Sequence, residues 1–311
     1  MSFAGTLGLM LAAVYGLSNL ALSALVAVLW RSGLKGMRST SNQLFALRVF
    51  PSAAGIFLTL TVALPAFLIF EPNREAEPVG GIVLICAMAA VLALGNGVLR
   101  AVRACAATAS RVNGFGPGGR HIEAERKFSI IEVDEPLVAV VGALRPRIVA
   151  ARCIVAACSE AELRQVIAHE AAHVSAFDNL KLLLMMSSPD VLTWMPAGPQ
   201  IVEHWRMAAE READARASGD DPCKRVALAS ALIKVARLST GVKRDLALFT
   251  LLIRADDVEG RVRHLLTPMP APRYAFPART LLACGLVTVG VAAAHYRTVQ
   301  DVLEALVALG S

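Results

Sequence analysis

Charged residues are scarce in this chain, and their scarcity excludes an ordinary soluble domain. Asp, Glu, Lys and Arg make up 18% of its 311 residues, 56% are hydrophobic, and the mean hydropathy is +0.56. A typical soluble domain has about 25% charged residues. Cysteine is also sparse: six are present and none forms a C-x-x-C pair. We therefore expect reduced thiols and no cysteine-based metal site.

The missing charge leaves four long apolar runs. Gly5–Trp30, Val49–Phe70 and Val79–Leu99 contain no charged residue over 26, 22 and 21 positions, and Thr280–Tyr296 adds a run of 17. Because about 20 apolar residues span a bilayer, we predict four transmembrane helices. The alternative for the fourth run is a buried core helix. The first run is too long for a signal-peptide core, so we expect it to be retained.

Basic residues between these runs predict the orientation in the membrane. The loop between the first two runs contains Arg31, Lys35, Arg38 and Arg48 but no acidic residue, whereas three glutamates and one arginine follow the second run. We expect the basic sides to be cytoplasmic and the N-terminus to lie outside. The predicted domains are three transmembrane helices within 1–103 (about 5–30, 49–70 and 79–99), a cytosolic domain at 104–278, a fourth transmembrane helix at 279–297 and a short external tail at 298–311.

A net charge of +6 raises the question of nucleic-acid binding. Much of this charge lies beside the apolar runs, where it sets topology and contacts anionic lipid. The sequence has no basic stripe with interleaved aromatic residues. We therefore expect the lipid bilayer as a partner and no direct contact with nucleic acid.

The most specific motif is His169-Glu170-Ala171-Ala172-His173. On a helix, residues four apart share a face, so both imidazoles can bind one metal ion, and Glu170 between them is the predicted catalytic acid/base. The alternative is a pair of histidines on an ordinary helix. Ser159, with Glu162 three residues later, forms a capping box that predicts one helix from Ser159 to Phe177.

A catalytic zinc ion needs a third protein ligand and one open position. Metzincins supply that ligand within HExxHxxGxxH, but Ala176 and Asn179 replace the glycine and the third histidine, which excludes that class. In EHWRMAAEREADARA, Glu210 and Asp214 share a helix face. We predict Glu210 as the third ligand of one Zn²⁺ and Asp214 as the acceptor of a ligand histidine's ring N–H. Glu203 is the main rival ligand.

The other segments of the predicted cytosolic domain have less specific sequence patterns. Residues 104–126 are polar and rich in glycine. Within them NGFGPGG (113–119) predicts a flexible linker rather than a dinucleotide-binding fingerprint, because no strand precedes it and Pro117 interrupts it. KFSIIEV, PLVAVVG and RIVAA are typical of short strands. An edge strand of such a sheet can pair with an extended peptide above the metal; the alternative is that the strands only cover a helical core. Residues 181–200 predict a loop or short helix, and KRVALASALIKVARL and LALFTLLIRA predict packing helices.

Four segments together resemble one family. DEPLVAVVGALRPRIV, SEAELRQVIAHEAAHVSAFDN, EREADA and RVRHLL are similar to segments of the BlaR/MecR-type antirepressor membrane metallopeptidases, and the resemblance covers nearly the whole chain. It implies an α-helical membrane protein with an α+β zincin-like domain of the gluzincin type. It also implies zinc held by His169, His173 and Glu210, Glu170 as the acid/base, and Asp214 orienting a ligand.

The resemblance further implies a multi-pass protein of a bacterial-type inner membrane, in which an external sensor of β-lactams activates cytosolic cleavage of a repressor or of the protease itself. The 15 residues after the fourth run are too few for such a sensor, so we expect a partner protein or the transmembrane helices to supply the signal. Arg261 matches the start of the family's RVRHLL segment without an assigned role. The alternatives are a quality-control or processing protease like the HtpX and CAAX types, and a non-catalytic membrane scaffold.

Overall fold

The computed structural model describes residues 3–37, 39–70, 80–114, 119–123, 126–133, 135–239 and 258–267. The chain divides into two compact units. The first unit comprises Met1–Arg100, Met185–Glu203 and Tyr274–Ser311, and the second comprises Ala101–Leu184 and His204–Arg273. The predicted domain limits stay a prediction.

The first unit contains long apolar helices. Helix α1 spans Phe3–Ser32, α2 spans Ser41–Leu58 and continues through a π-helical turn at Thr59–Ala63 into α3 at Leu64–Phe70, and α4 spans Gly81–Gly114. Among the described residues, three stretches are long and apolar enough to cross a bilayer: Ala4–Ser32, Ser41–Ile69 and Gly81–Ser110. They contain nearly all of the first three predicted spans. The predicted fourth span lies outside the described residues.

A buried polar cluster ties the segment after Ser187 to the helices of the first unit. Arg48 of α2 donates a hydrogen bond from Nη1 to Oδ2 of Asp190 at 2.6 Å, and both side chains are buried. Ser52 donates to the same oxygen at 2.9 Å, and Asn19 of α1 accepts the Val191 N–H at 3.0 Å. The buried charges of Arg48 and Asp190 are thus paired with each other, which lowers the cost of their burial.

The second unit contains a four-stranded sheet. Its strands are β1 (Gly119–Glu123), β2 (Arg126–Ile131), β3 (Val138–Val141) and β4 (Arg147–Ala151), in the order β1-β2-β4-β3. Strands β2 and β4 are parallel and the other neighbours are antiparallel. The three predicted strands are confirmed.

Residues 115–118, the middle of the predicted linker NGFGPGG (113–119), lie outside the described residues, so the linker stays a prediction. Regular elements occur on both sides of them. Helix α4 continues to Gly114, and β1 forms at Gly119–Glu123. The helix continues because alanine and arginine, both strong helix formers, dominate AVRACAATASRV, and no glycine or proline occurs between Gly97 and Gly114. Pairing with β2 makes a strand of a short polar segment whose own sequence favours a loop.

Six helices complete the described chain: α5 (Arg152–Ala157), α6 (Glu160–Ala176), α7 (Asp178–Ser187), α8 (Ala197–Ser218), α9 (Pro222–Leu238) and α10 (Val258–Leu266). Short 3₁₀ turns occur at Leu34–Gly36 and Val191–Trp194. The predicted short helix within 181–200 corresponds to the end of α7, and the predicted helix LALFTLLIRA lies outside the described residues.

Helix α6 is held between the sheet and α9. Its Leu163, Val166 and Ile167 belong to one hydrophobic core with the buried residues of β2, β3 and β4 and with Ala231 and Val235 of α9. Its start is fixed by the predicted capping box, which the structure confirms: Ser159 accepts the Glu162 N–H, and the Glu162 carboxylate accepts the Ser159 N–H. The motif helix therefore has a fixed position against the sheet.

Helix α10 packs on α9 through a second hydrophobic cluster. Leu265 of α10 is buried with Leu228 and Leu232 of α9, and Val258 and Val262 pack at the edge of this cluster. This packing sets the position of the polar side chains that α10 carries.

Candidate metal centre

Two histidines one turn apart on α6 form the centre of the site. His169 and His173 are 1% and 2% exposed, and their ring centroids are 4.7 Å apart. Their Nε2 atoms lie 3.1 Å from each other. Both rings therefore direct the same nitrogen toward one buried point, as the four-residue spacing predicts.

Helix α8 brings Glu210 to the same point. Its Oε2 lies 3.5 Å from Nε2 of His169, and its Oε1 lies 3.6 Å from Nε2 of His173. Among the residues that the structure describes, these three form the group that could hold a metal ion, with one candidate ligand atom from each and all of these atoms within 4.8 Å of one another. The rival Glu203 is not a member of this group.

A carboxylate stands behind each histidine. Oδ1 of Asp214 lies 2.9 Å from Nδ1 of His169, and a 2.8 Å hydrogen bond joins Oδ2 of Asp178 to Nδ1 of His173. A carboxylate at Nδ1 favours the tautomer that leaves Nε2 free to bind a metal. The structure thus brings Asp214 to the position predicted for it and adds Asp178, which has no role in the sequence prediction.

Asp178 reaches His173 because α6 ends abruptly. Phe177 adopts the left-handed conformation with φ 56°, and α7 begins at the next residue. The following Asn179 donates from Nδ2 to the carbonyl oxygens of Val140 at 2.9 Å and Gly142 at 3.0 Å. Two consecutive side chains thus hold a histidine and strand β3.

Arg261 of α10 contacts both carboxylates of α8. Its Nη1 lies 2.9 Å from Oε2 of Glu210. Its Nη2 and Nε donate to Oδ1 and Oδ2 of Asp214 at 2.6 Å and 2.9 Å. The arginine is 5% exposed, so this ion pair is shielded from water. The sequence prediction marks Arg261 only through the RVRHLL segment, and no local pattern ties it to Glu210.

Burial and charge shift the pKa values of the site. Burial alone raises the pKa of the Asp214 and Glu210 carboxyls, but the charge of Arg261, with help from the histidines, outweighs burial and lowers both. Burial lowers the pKa of His169, but Asp214 outweighs it and raises that pKa to about 9. Burial raises the pKa of Glu170 to about 6, against the lowering effect of both histidines. The neighbouring carboxylate of Asp214 thus favours positive charge at His169.

The residues present fit a metal ion. Four carboxylates, of Glu170, Asp178, Glu210 and Asp214, are buried with the two histidines, and the guanidinium of Arg261 offsets one of these negative charges. Neither oxygen of Glu210 accepts a hydrogen bond from the described residues, and Oε1 has no described ion pair with Arg261 either. A buried carboxylate oxygen without a donor is costly unless a cation is bound to it. Two imidazoles and one carboxylate are a ligand set found in catalytic zinc sites.

A cavity of about 790 Å³ lies between α6 and the sheet. Its lining includes Phe128, Arg147 and Ile148 from the sheet and Ala172 from α6, beside His173. Arg216 of α8 also borders it and donates to the Ala172 carbonyl at 3.3 Å. The space is large enough for several side chains.

Comparison with known protein families matches residues 79–265 to the family described as BlaR1 peptidase M56. The matched segment begins at the third apolar helix and includes every residue of the candidate metal centre. The match confirms the family resemblance drawn from the sequence. No curated protein and no solved structure matches the chain significantly.

Proposed function

Because the chain belongs to the BlaR1 peptidase M56 family, which indicates a membrane-associated metallopeptidase, we propose that it is a zinc-dependent endopeptidase that makes site-specific cuts in a cytosolic repressor or in itself. One observation carries the proposal: the convergence of His169, His173 and Glu210 on one buried point, with Glu170 beside them. The gluzincin class follows from the same set, since the third ligand is a glutamate on a second helix.

His169, His173 and Glu210 would hold the ion, and Asp214 and Asp178 would keep the two imidazoles in the tautomer that binds it. When bound, the zinc ion activates water and polarises the scissile carbonyl. The protein's contribution is a dry, fixed set of ligands that needs little rearrangement to receive the ion.

Glu170 is the acid/base of the proposed reaction. Its carboxylate takes a proton from the attacking water while the water oxygen forms a bond to the peptide carbon, and it then gives the proton to the amine as the C–N bond breaks. Glu170 is 1% exposed, and its Oε1 accepts no hydrogen bond from the described residues. An oxygen in this state can accept the proton without first losing another partner.

Strand β3 is the proposed partner of the substrate backbone. It is an edge strand of the described sheet. Leu137 accepts the Ala151 N–H at 2.7 Å, so alternate residues face β4 while the N–H and C=O groups of Val138 and Val140 point away from it. Since Asn179 already donates to the Val140 carbonyl, an extended substrate would pair mainly through Val138.

The proposed active-site side is the cytosol. The support is the basic loop between the first two apolar helices and the arginines after the third, which favour the cytoplasmic face. Cys223, exposed at the start of α9 and outside the three apolar stretches, offers a test. In a variant with this single cysteine, an impermeant maleimide should label inverted membrane vesicles and leave intact cells unlabelled; the reverse pattern contradicts the orientation.

The decisive experiment compares Glu170→Gln with wild type. We expect E170Q to keep one zinc per chain and to lose proteolysis, because the ligands remain and the proton acceptor is gone. Glu160→Gln on the same helix is the matched control, since Glu160 is exposed and pairs with Arg164. Cleavage by E170Q at the wild-type rate would refute the proposed acid/base mechanism.

The same variant separates the candidate functions. Expressed in cells with a crosslinker, E170Q should retain one defined repressor or a second copy of the chain. Many unrelated membrane proteins would instead indicate a quality-control protease. If cells that express E170Q have the same phenotype as cells that express the wild type, a non-catalytic scaffold would be indicated.

A further inference from the structure

We propose that Arg261 is the positioning residue of the metal centre, and that its guanidinium holds Glu210 and Asp214 in the geometry that the ion requires. The inference rests on the proposed metal site and adds a determinant of metal affinity that lies on a separate helix, α10.

Arg261 contacts the proposed metal ligand Glu210 and also Asp214, which supports the proposed ligand His169. Two nitrogens donate to the two oxygens of Asp214, at 2.6 Å and 2.9 Å, and a third lies 2.9 Å from Oε2 of Glu210. A planar guanidinium with five N–H donors can make these contacts together, whereas an ammonium group cannot reproduce the fork. One residue therefore fixes the relative placement of both carboxylates.

This arrangement leaves one ligand oxygen available. Neither oxygen of Glu210 accepts a hydrogen bond from the described residues. Oε2 forms an ion pair with Nη1 of Arg261 at 2.9 Å, while Oε1 lies 3.6 Å from Nε2 of His173. Without the guanidinium, the carboxylates of Glu210 and Asp214 would repel each other in a buried site, and Glu210 would be free to rotate away. Arg261 therefore positions the site in two ways: it keeps Glu210 in one orientation, and it balances the charge of Asp214.

If Arg261 acted only through its charge, its replacement would change the zinc affinity in the opposite direction. A positive charge close to a bound cation weakens its binding, so removing that charge alone would tighten it. A purely structural role, in which Arg261 only docks α10 on α9, would lower the melting temperature and leave the metal affinity of the folded protein unchanged. The direction of the change in zinc affinity therefore separates three roles.

The experiment measures zinc affinity of the full-length, metal-stripped protein in detergent by competition with a chromophoric chelator. We expect Arg261→Gln to weaken binding roughly ten- to hundred-fold, as loss of a ligand's support does elsewhere. Arg261→Lys keeps the charge but loses the fork, and should weaken binding at least about ten-fold. Arg263→Gln is the matched control on the same helix, because Arg263 pairs with Glu259 at the exposed surface.

Cobalt substitution supplies a second measurement that reports coordination. The visible absorption of Co²⁺ should change in R261Q and R261K, because Glu210 is displaced, and should match wild type in R263Q. Melting temperatures of the metal-free proteins identify a variant that does not fold; if R261Q is one, R261K decides the question.

Wild-type or tighter zinc affinity in a folded R261Q or R261K protein, with an unchanged cobalt spectrum, would overturn the proposal. If wild type itself binds no zinc, the proposed function fails instead. The two failures are therefore distinguishable.

Discussion

Replacing the carboxylate of Asp178 by an amide should lower the free energy of unfolding less than the same replacement at Asp214. Asp178→Asn and Asp214→Asn are nearly isosteric, and each removes one negative charge from beside an imidazole. Asp178 contacts His173 at 2.8 Å, and the nearest cation with a described contact, Lys181, is 3.7 Å away. Asp214 contacts His169 and accepts two hydrogen bonds from the buried Arg261.

The magnitudes follow from these partners. In D178N a charge-assisted hydrogen bond becomes a neutral one, a loss of about 1 kcal/mol. In D214N the buried guanidinium also loses the charge that pairs with it; breaking a buried pair costs about 3–5 kcal/mol. Because Arg261 keeps its contact with Glu210, we expect the lower end, about 3 kcal/mol. Zinc affinity should fall roughly ten- to hundred-fold in both variants.

The assay is thermal unfolding of the metal-free proteins in detergent, followed by circular dichroism, with zinc competition in parallel. Glu212→Gln is the control, because Glu212 lies on the same helix as Asp214 and pairs with Arg216; it should change the free energy of unfolding by less than about 0.5 kcal/mol. A D178N protein that loses as much stability as D214N would refute the reasoning, as would a D214N protein with wild-type zinc affinity.

Three further predictions concern stability. Burial raises the pKa of Glu162, but hydrogen bonds, above all from Lys234, outweigh it and lower the pKa to about 2; this carboxylate therefore stabilises the fold above about pH 4.5, and its contribution, about 1–2 kcal/mol after screening, is lost as pH falls toward 2. The melting temperature of E162Q should accordingly fall less than that of wild type between pH 5 and pH 3, and parallel curves would contradict this. Asn179→Asp should unfold at a lower temperature than Asn179→Ala, because a carboxylate cannot donate to the two carbonyls of β3 and is repelled by them; equal melting temperatures would argue against the clamp. Arg48→Ala should cost about 3–5 kcal/mol by leaving Asp190 buried without its cation, and an R48M/D190L double variant should recover at least half of this in detergent unfolding; a wild-type melting temperature for R48A would exclude the pair as a stabilising contact.

The part of the site that can be predicted from the sequence consists of residues that are one helical turn apart. The capping box, the histidines four apart and the pairing of Glu210 with Asp214 depend on the geometry of a single helix, so the sequence was sufficient to find them. Their roles as ligands, base and support remain predictions, although the structure brings these side chains together.

The remainder of the site depends on tertiary contacts that no local pattern encodes. Asp178 faces His173 because Phe177 ends α6 in a left-handed conformation, which is uncommon for a non-glycine residue. Arg261 reaches α8 because α10 packs on α9. The polar segment 104–126 likewise contains the end of α4 and the strand β1, because the helix propagates to Gly114 and pairing with β2 outweighs a weak local preference.

The sharp turn at Phe177 has a consequence for the order of biosynthesis. The stretch from His169 to Asn179 contains both histidines, the proposed acid/base, one carboxylate that contacts His173 and the side chain that contacts β3, and it is synthesised before α8 and α10. Until then the nascent chain contains only the two-histidine part of the candidate site, and Glu210 and Arg261 are added later. We hypothesise that this order delays metal loading until the domain is whole. Zinc retained at full affinity by a chain truncated after α7 would disprove it.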